Sequence, residues 1–312
     1  MEKIVQNNIQ NDTHQDEVFL REVFSIIWDG KFKIIALTSI FAVASVFYAL
    51  SIPNQYKATA LLAPAQSSVG GISSASSQMG GLAALAGISV GGGNTSEAEI
   101  AQRIMQSWSF IEDFINNNDL SAQVFAVNGW NKDLDELQID DGLYDVVNKQ
   151  WVLEDDNGQV GPPNSWDMFK KFSKRLEVSE IKKSNLLSVS IEFYSPFIAK
   201  KWVDMYVAAI NLHMQNRQVI KTTKNIDYLE AQIQKTSIAE MRKVFYSIME
   251  EQTKNKMLAE ATPEYAFVVV SPTMVPEEKS QPARASICIL ITLLGGMVSC
   301  LLVLVLHRFR NK

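Results

Sequence analysis

The chain has 312 residues, 47% of them hydrophobic and 20% charged, with a net charge of −5. It is too apolar to be wholly disordered, too acidic to read as a nucleic-acid binder, and its two cysteines cannot form a disulfide scaffold. A mean hydropathy near zero suits a soluble protein, but an average hides clustering.

The first cluster runs over residues 34–52, 19 positions without a charge. At about 1.5 Å per helical residue it spans a hydrocarbon core of about 30 Å. A secretory signal fits poorly, because 33 residues carrying six acids precede the run. An uncleaved anchor is expected. Arg21, Lys31 and Lys33 precede it and Lys57 alone follows closely, which places the N-terminus in the cytoplasm.

Tyr56 to Leu62 reads as a strand stopped by Pro64. Residues 67–93 form a low-complexity tract with 8 Gly, 7 Ser and 4 Ala, expected to be a flexible loop. Ser96 and Glu99 have capping-box form. They predict a helix to about Ile115, with Ile100, Ile104, Trp108, Ile111 and Ile115 on one face. Residues 133–156 hold nine acids and one base and are expected to be a solvated acidic face or loop. The run from Asp155 to Gly158 lacks the first aspartate and closing glutamate of a calcium loop.

Leu187, Val189, Ile191 and Phe193 alternate with polar neighbours, the clearest strand in the chain. Ser195-Pro196 then supplies a helix N-cap and first residue. No proline follows until Pro263 and no glycine interrupts, so residues 196–261 predict a long helical hairpin. The best reversal is Thr236-Ser237, with Ser237 and Glu240 as a capping box. Narrow apolar stripes flank it: Ile226, Leu229 and Ile233 before, Ile238, Met241, Phe245 and Ile248 after. Such stripes suit helix pairing, within the hairpin or between subunits. A strand from Ala266 to Val270 is expected to share a small mixed sheet near the membrane with the earlier strands.

The second uncharged run covers residues 285–306. Arg308, Arg310 and Lys312 follow it, which places the C-terminus in the cytoplasm as well. Cys288, Thr292, Gly296 and Cys300 recur every fourth residue, with Gly295 and Ser299 alongside. This small-residue face predicts close approach by another helix. The expected organisation is an α+β membrane protein. It has a cytoplasmic tail at 1–33, spans at 34–52 and 285–306, an external domain at 53–284 with net charge −6, and a second tail at 307–312.

Chemistry-bearing patterns are missing. His14, His213 and His307 are scattered, and no HExxH or Cys/His cluster exists, so no metal or cofactor is expected. There is no GxSxG, no phosphate-binding glycine loop and no paired nucleophile and base. No catalytic residue is expected, and His213 reads as a packing or interface residue.

The arrangement resembles the Wzz-type chain-length determinants, the polysaccharide co-polymerases of Gram-negative inner membranes. Pro53-Asn54-Gln55-Tyr56-Lys57-Ala58 is similar to the family's entry motif. Ser195-Pro196 followed by Ala199, Trp202 and Asn211 resembles its helix start. Residues 250–254 and 257–259 resemble its returning helix. The most specific part is Ser271 to Pro276 and then Pro282-Ala283-Arg284; Pro272, Pro276, Pro282 and Arg284 form the membrane-proximal motif. The 67–93 tract and residues 133–165 depart from the pattern as insertions.

The resemblance implies a non-enzymatic protein with its central domain in the periplasm. It implies a ring-like homo-oligomer that regulates the modal length of lipopolysaccharide O-antigen made by a separate polymerase. Expected partners are that polymerase, the growing lipid-linked polysaccharide and membrane lipids, with no nucleic acid. The alternative is an adaptor for capsule or exopolysaccharide assembly and export. Related autokinases continue into a cytoplasmic ATPase domain, and this sequence has only six residues after its second run, so that activity is not expected.

Overall fold

The computed structural model describes residues 28, 30–65, 97–154, 158, 160–182 and 184–310. The 67–93 tract, Ser96 and Asp155 to Asn157 lie outside them. The chain divides into two compact units, residues 1–54 with 280–312, and residues 55–279.

The first unit is a pair of helices, α1 (Lys31–Ser51) and, at the other end of the chain, α8 (Arg284–Arg310). Both are long and apolar enough to cross a membrane, and a helix satisfies its own backbone groups in hydrocarbon. Large side chains such as Phe47 and Leu301 are exposed, as lipid-facing residues are.

In the second unit β1 (Tyr56–Pro64) is followed, after the undescribed tract, by α2 (Glu97–Met105), α3 (Trp108–Asn117) and α4 (Ser121–Phe125). Two small hairpins come next, β2 (Val127–Asn131) with β3 (Glu136–Ile139) and β4 (Tyr144–Asp145) with β5 (Gln150–Trp151). Then come α5 (Ser165–Ser173), β6 (Leu176–Ile181), β7 (Leu186–Phe193), α6 (Pro196–Lys235), α7 (Ala239–Ala261) and β8 (Phe267–Ser271).

The main sheet has the order β6-β7-β1-β8. All its pairings are antiparallel, so the expected mixed sheet is corrected. The reason lies in the connections. β6 and β7 form a hairpin, which must be antiparallel. β7 and β8 run in the same direction but never pair, because β1 lies between them.

The first half of α6 packs on this sheet. Ala199, Trp202, Val203, Tyr206, Ile210 and Met214 recur at 3–4 spacing and are buried. Trp202 meets Phe193 at 4.4 Å between ring centroids, and Tyr206 meets Phe114 of α3 at 4.8 Å. Beyond Met214 only Thr222 and Leu229 of α6 are buried, so its second half leaves the sheet. There it pairs with α7. Gln215 donates to the Ala259 carbonyl at 2.9 Å, and Asn225 donates to Gln252 Oε1 at 3.2 Å. The chain turns over at Thr236 to Ile238.

Three other expectations change. The helix predicted from Ser96 to Ile115 is two helices, broken before Trp108. Ser107 is the cause: its hydroxyl donates to the Ile104 carbonyl at 2.7 Å and accepts the Phe110 N–H, so one side chain closes α2 and opens α3. The break rotates Trp108 off the predicted apolar face. It is 47% exposed, whereas Ile111 and Ile115 are buried. The acidic segment is structured by its acids instead of being only solvated. The Asp145 carboxylate accepts the Asn148 and Val147 N–H groups in the β4–β5 turn, which holds its pKa below the usual value. The capping box at Ser237 and Glu240 does not form; Ile238 is the N-cap of α7 and makes no side-chain cap bond.

Candidate functional site

Arg284 is the first residue of α8, and its guanidinium reaches the end of α1. Nε donates to the Ala49 carbonyl at 3.1 Å, and Nη2 donates to Asn54 Oδ1 at 3.1 Å and approaches the Ile52 carbonyl at 3.5 Å. The last carbonyls of a helix have no intrahelical donor and carry partial negative charge. α1 has no basic residue in its own last turn. Arg284 supplies that cation from a position 235 residues further along the chain. Arg284→Ala is expected to lower the stability of the detergent-solubilised chain by about 1.5–3 kcal/mol, the worth of a charged hydrogen-bond cluster. Arg284→Lys keeps the charge but loses the fork, and should recover only part of that. Thermal unfolding followed by circular dichroism checks both, and equal melting of Arg284→Ala and the parent chain would reject the clamp.

The proline motif is divided between the two units. Pro272 and Pro276 belong to the sheet unit, and Pro282 and Arg284 to the helix pair. Pro272 is exposed, Pro276 half-buried and Pro282 buried. Thr273 between the first two is buried, and its hydroxyl has no hydrogen-bond partner among the described residues.

The six small or slender residues of α8 lie along its less exposed side. Gly295 and Ser299 are buried, while Cys288, Thr292, Gly296 and Cys300 are half-buried. Across from them α1 presents Thr38 and Phe41, with buried Ser45 and Ala49 further along. At Gly295 the fit admits no side chain: a Cβ there would stand 2.5 Å from Phe41 Cγ. At Gly296 a Cβ would meet Thr38 Cγ2 at an ordinary 3.8 Å. Ser45 and Ser299 turn their hydroxyls back to Ala42 and Gly295 carbonyls of their own helices. The helices therefore meet closely, with a shape match at Gly295 that leaves no space for a side chain.

The sheet unit holds its own buried polar anchor. Asn211 of α6 accepts the Ala266 and Phe267 N–H groups through Oδ1 and donates Nδ2 to the Phe267 carbonyl, each at 2.9 Å. One amide thus fixes the start of β8 against the helix. Burial raises the Tyr206 phenol well above its ordinary pKa, and the hydroxyl donates to the Met105 carbonyl. Burial also lowers the Arg175 pKa, with the guanidinium lying over the Phe193 and Tyr194 rings at 4.8 and 5.1 Å. These groups build structure and do not converge on a reacting centre. Among the described residues no group of three His, Cys, Asp or Glu is placed to hold a metal ion.

His213 lies edge-on to Phe110 with ring centroids 5.5 Å apart, on the wall of a cavity between α3 and α6. Sequence reasoning missed Phe41, Thr38 and the partners of Asn211. Thr38 belongs to a small-residue spacing with Ala42, Ser45 and Ala49 that the first run also carries, whereas Phe41 is one large apolar residue among many. The signal for Asn211 was present, since it is an amide on an otherwise apolar helix face.

Residues 16–118 match the family described as Wzz, chain length determinant protein. No curated protein sequence matches the chain. Among solved structures it is similar to a full-length bacterial polysaccharide co-polymerase, at 14% identity and a TM-score of 0.37, covering 93% of this chain and 97% of that one. It is also similar to a fragment of the WzzB polysaccharide co-polymerase from Salmonella Typhimurium, at 12% identity and a TM-score of 0.27, covering 73% and 100%. A third is a point mutant of the Shigella flexneri lipopolysaccharide O-antigen chain-length regulator, at 10% identity and a TM-score of 0.22, covering 72% and 100%. Residues 16–118, from ahead of the first apolar helix to the end of α3, thus carry the match to the Wzz chain length determinant family.

Proposed function

We propose that the protein is a non-enzymatic co-polymerase that sets the modal length of a polysaccharide, the O-antigen of lipopolysaccharide, made by a separate polymerase. The observation that carries this reading is the Wzz match over residues 16–118, which includes the first apolar helix and β1, an inner strand of the sheet. In this reading both termini are cytoplasmic, residues 53–284 are periplasmic, and the chain acts as a homo-oligomer in the inner membrane. The apolar stripe at the start of α7 supports chain-to-chain contact: Ile238 and Met241 remain about half exposed, and Ile248 about a third, in the single chain. A scaffold of this kind works by holding the polymerase and the growing lipid-linked glycan together, with no bond made or broken by its own residues. The proline motif and the small-residue face serve the membrane-side part of that scaffold.

The test is the polysaccharide length profile on a gel. Deleting the gene should convert a banded distribution with a preferred length into one that decays without a mode, and the wild-type gene should restore the band. An unchanged profile would overturn the reading.

A further inference from the structure

The cavity beside His213 has a composition that the scaffold role does not use. It is an open groove of about 430 Å³ between the C-terminal half of α3 and the middle of α6, with Asp113, Asn117, Leu212 and Asn216 exposed along it, and its volume is within the range of small-ligand sites. Its apolar wall includes Phe110 and Leu212, and its polar side chains include Asp113, Asn117, His213 and Asn216. α3 places Phe110, Asp113 and Asn117 on one face at 3–4 spacing, and α6 does the same for Ala209, His213 and Asn216, with Leu212 beside them.

Among the described residues, the side chains of Asp113, Asn117 and Asn216 make no hydrogen bond, and His213 makes only its ring contact with Phe110. Asn118, also on the wall, donates its Nδ2 to the Phe114 carbonyl at 2.8 Å, which leaves Oδ1 to accept. The lining thus offers amides that both donate and accept, one imidazole and one carboxylate. No Lys or Arg lines it, so a phosphate or carboxylate ligand finds no counter-ion. A purely apolar ligand would bury the amides unpaired, at a cost. Hydroxyl groups, each donor and acceptor at once, match the amides, and the C–H face of a sugar ring matches Phe110 and Leu212. The geometry points to a saccharide-binding subsite for one or two neutral sugar units of the polysaccharide whose length the protein sets. This assignment rests on the co-polymerase reading for the source of the sugar.

The experiment uses the full chain in a sugar-free detergent and saturation-transfer NMR. The probe is the producing strain's own polysaccharide, released from lipid by mild acid and cut to short oligosaccharides. Transfer to the oligosaccharide is expected from the parent chain. Asn117→Ala with Asn216→Ala should weaken binding about 30-fold, the loss of two neutral hydrogen bonds. Both residues are exposed, so the melting curve should not move. Asp113→Asn, which keeps an acceptor and adds donors, should retain most of the binding. No transfer from the parent chain, or equal transfer from the double variant, overturns the subsite. The deletion profile separates the two readings: a lost mode without transfer rejects the subsite alone, and transfer with an unchanged profile rejects the length-setting role.

Discussion

With leucine at position 295 the two apolar helices no longer close on each other. Even the first added carbon would stand 2.5 Å from Phe41 Cγ and 2.6 Å from Phe41 Cβ, distances at which something must shift. Phe41 is held by its helix and has little room to yield, so the helices separate or rotate. Overpacking of this kind costs about 1–3 kcal/mol, and a helix pair in lipid has little other attraction to offset it. The measurement is a disulfide cross-link between cysteines placed at Thr38 and Gly296, with Cys288 and Cys300 changed to serine. In the parent chain the two positions are in van der Waals range and should oxidise readily. Gly295→Leu should slow that cross-link by about tenfold or more, and adding Phe41→Ala should restore it by emptying the clash. Undiminished cross-linking in Gly295→Leu would mean the helices do not meet at this glycine.

Asn211→Leu has the second large effect, in the sheet unit. Leucine fills similar volume but leaves two buried N–H groups and one carbonyl at Ala266 and Phe267 without partners. Each orphaned group costs about 1–3 kcal/mol, so a loss of about 3 kcal/mol or more is expected. The damage should be local first. Hydrogen exchange at Ala266 and Phe267 should accelerate strongly, while amides in the β6–β7 hairpin keep their protection. Uniform acceleration across the whole sheet would argue that Asn211 supports the entire unit and not the docking of β8.

How much of this was legible beforehand varies element by element. The alternation at Leu187 to Phe193 shows one face toward a core, and the structure buries those four residues. Ser195-Pro196 marks the start of α6 because proline belongs in a first helical turn, although the Ser195 hydroxyl itself makes no cap bond. The small-residue spacing of the second run was visible, and the first run carries a matching one at Thr38, Ala42, Ser45 and Ala49; Phe41 was not, because it is one large apolar residue among many. The break before Trp108 was invisible because a serine within an apolar stripe reads as one more helical residue until its hydroxyl is seen bonding both ways. The same limit hid the acidic hairpins, where Asp145 makes a turn through its own side chain. The Arg284 clamp joins residues 230 or more positions apart, and no local pattern announces such a pairing.

The place of β1 between β7 and β8 in its sheet carries a consequence for biogenesis. Both neighbours of this early strand come much later in the chain: β7 begins at Leu186 and β8 at Phe267. At a synthesis rate of about 5–20 residues per second, the strand waits roughly 10–40 s between its own appearance and that of its last partner. Through that interval it is an apolar segment with open edges, the kind of surface that pairs with the wrong chain. Closing such distant contacts is entropically slow as well. The nascent protein should therefore depend on a holding chaperone, and the sheet should lock only after its last strand, β8, has been made.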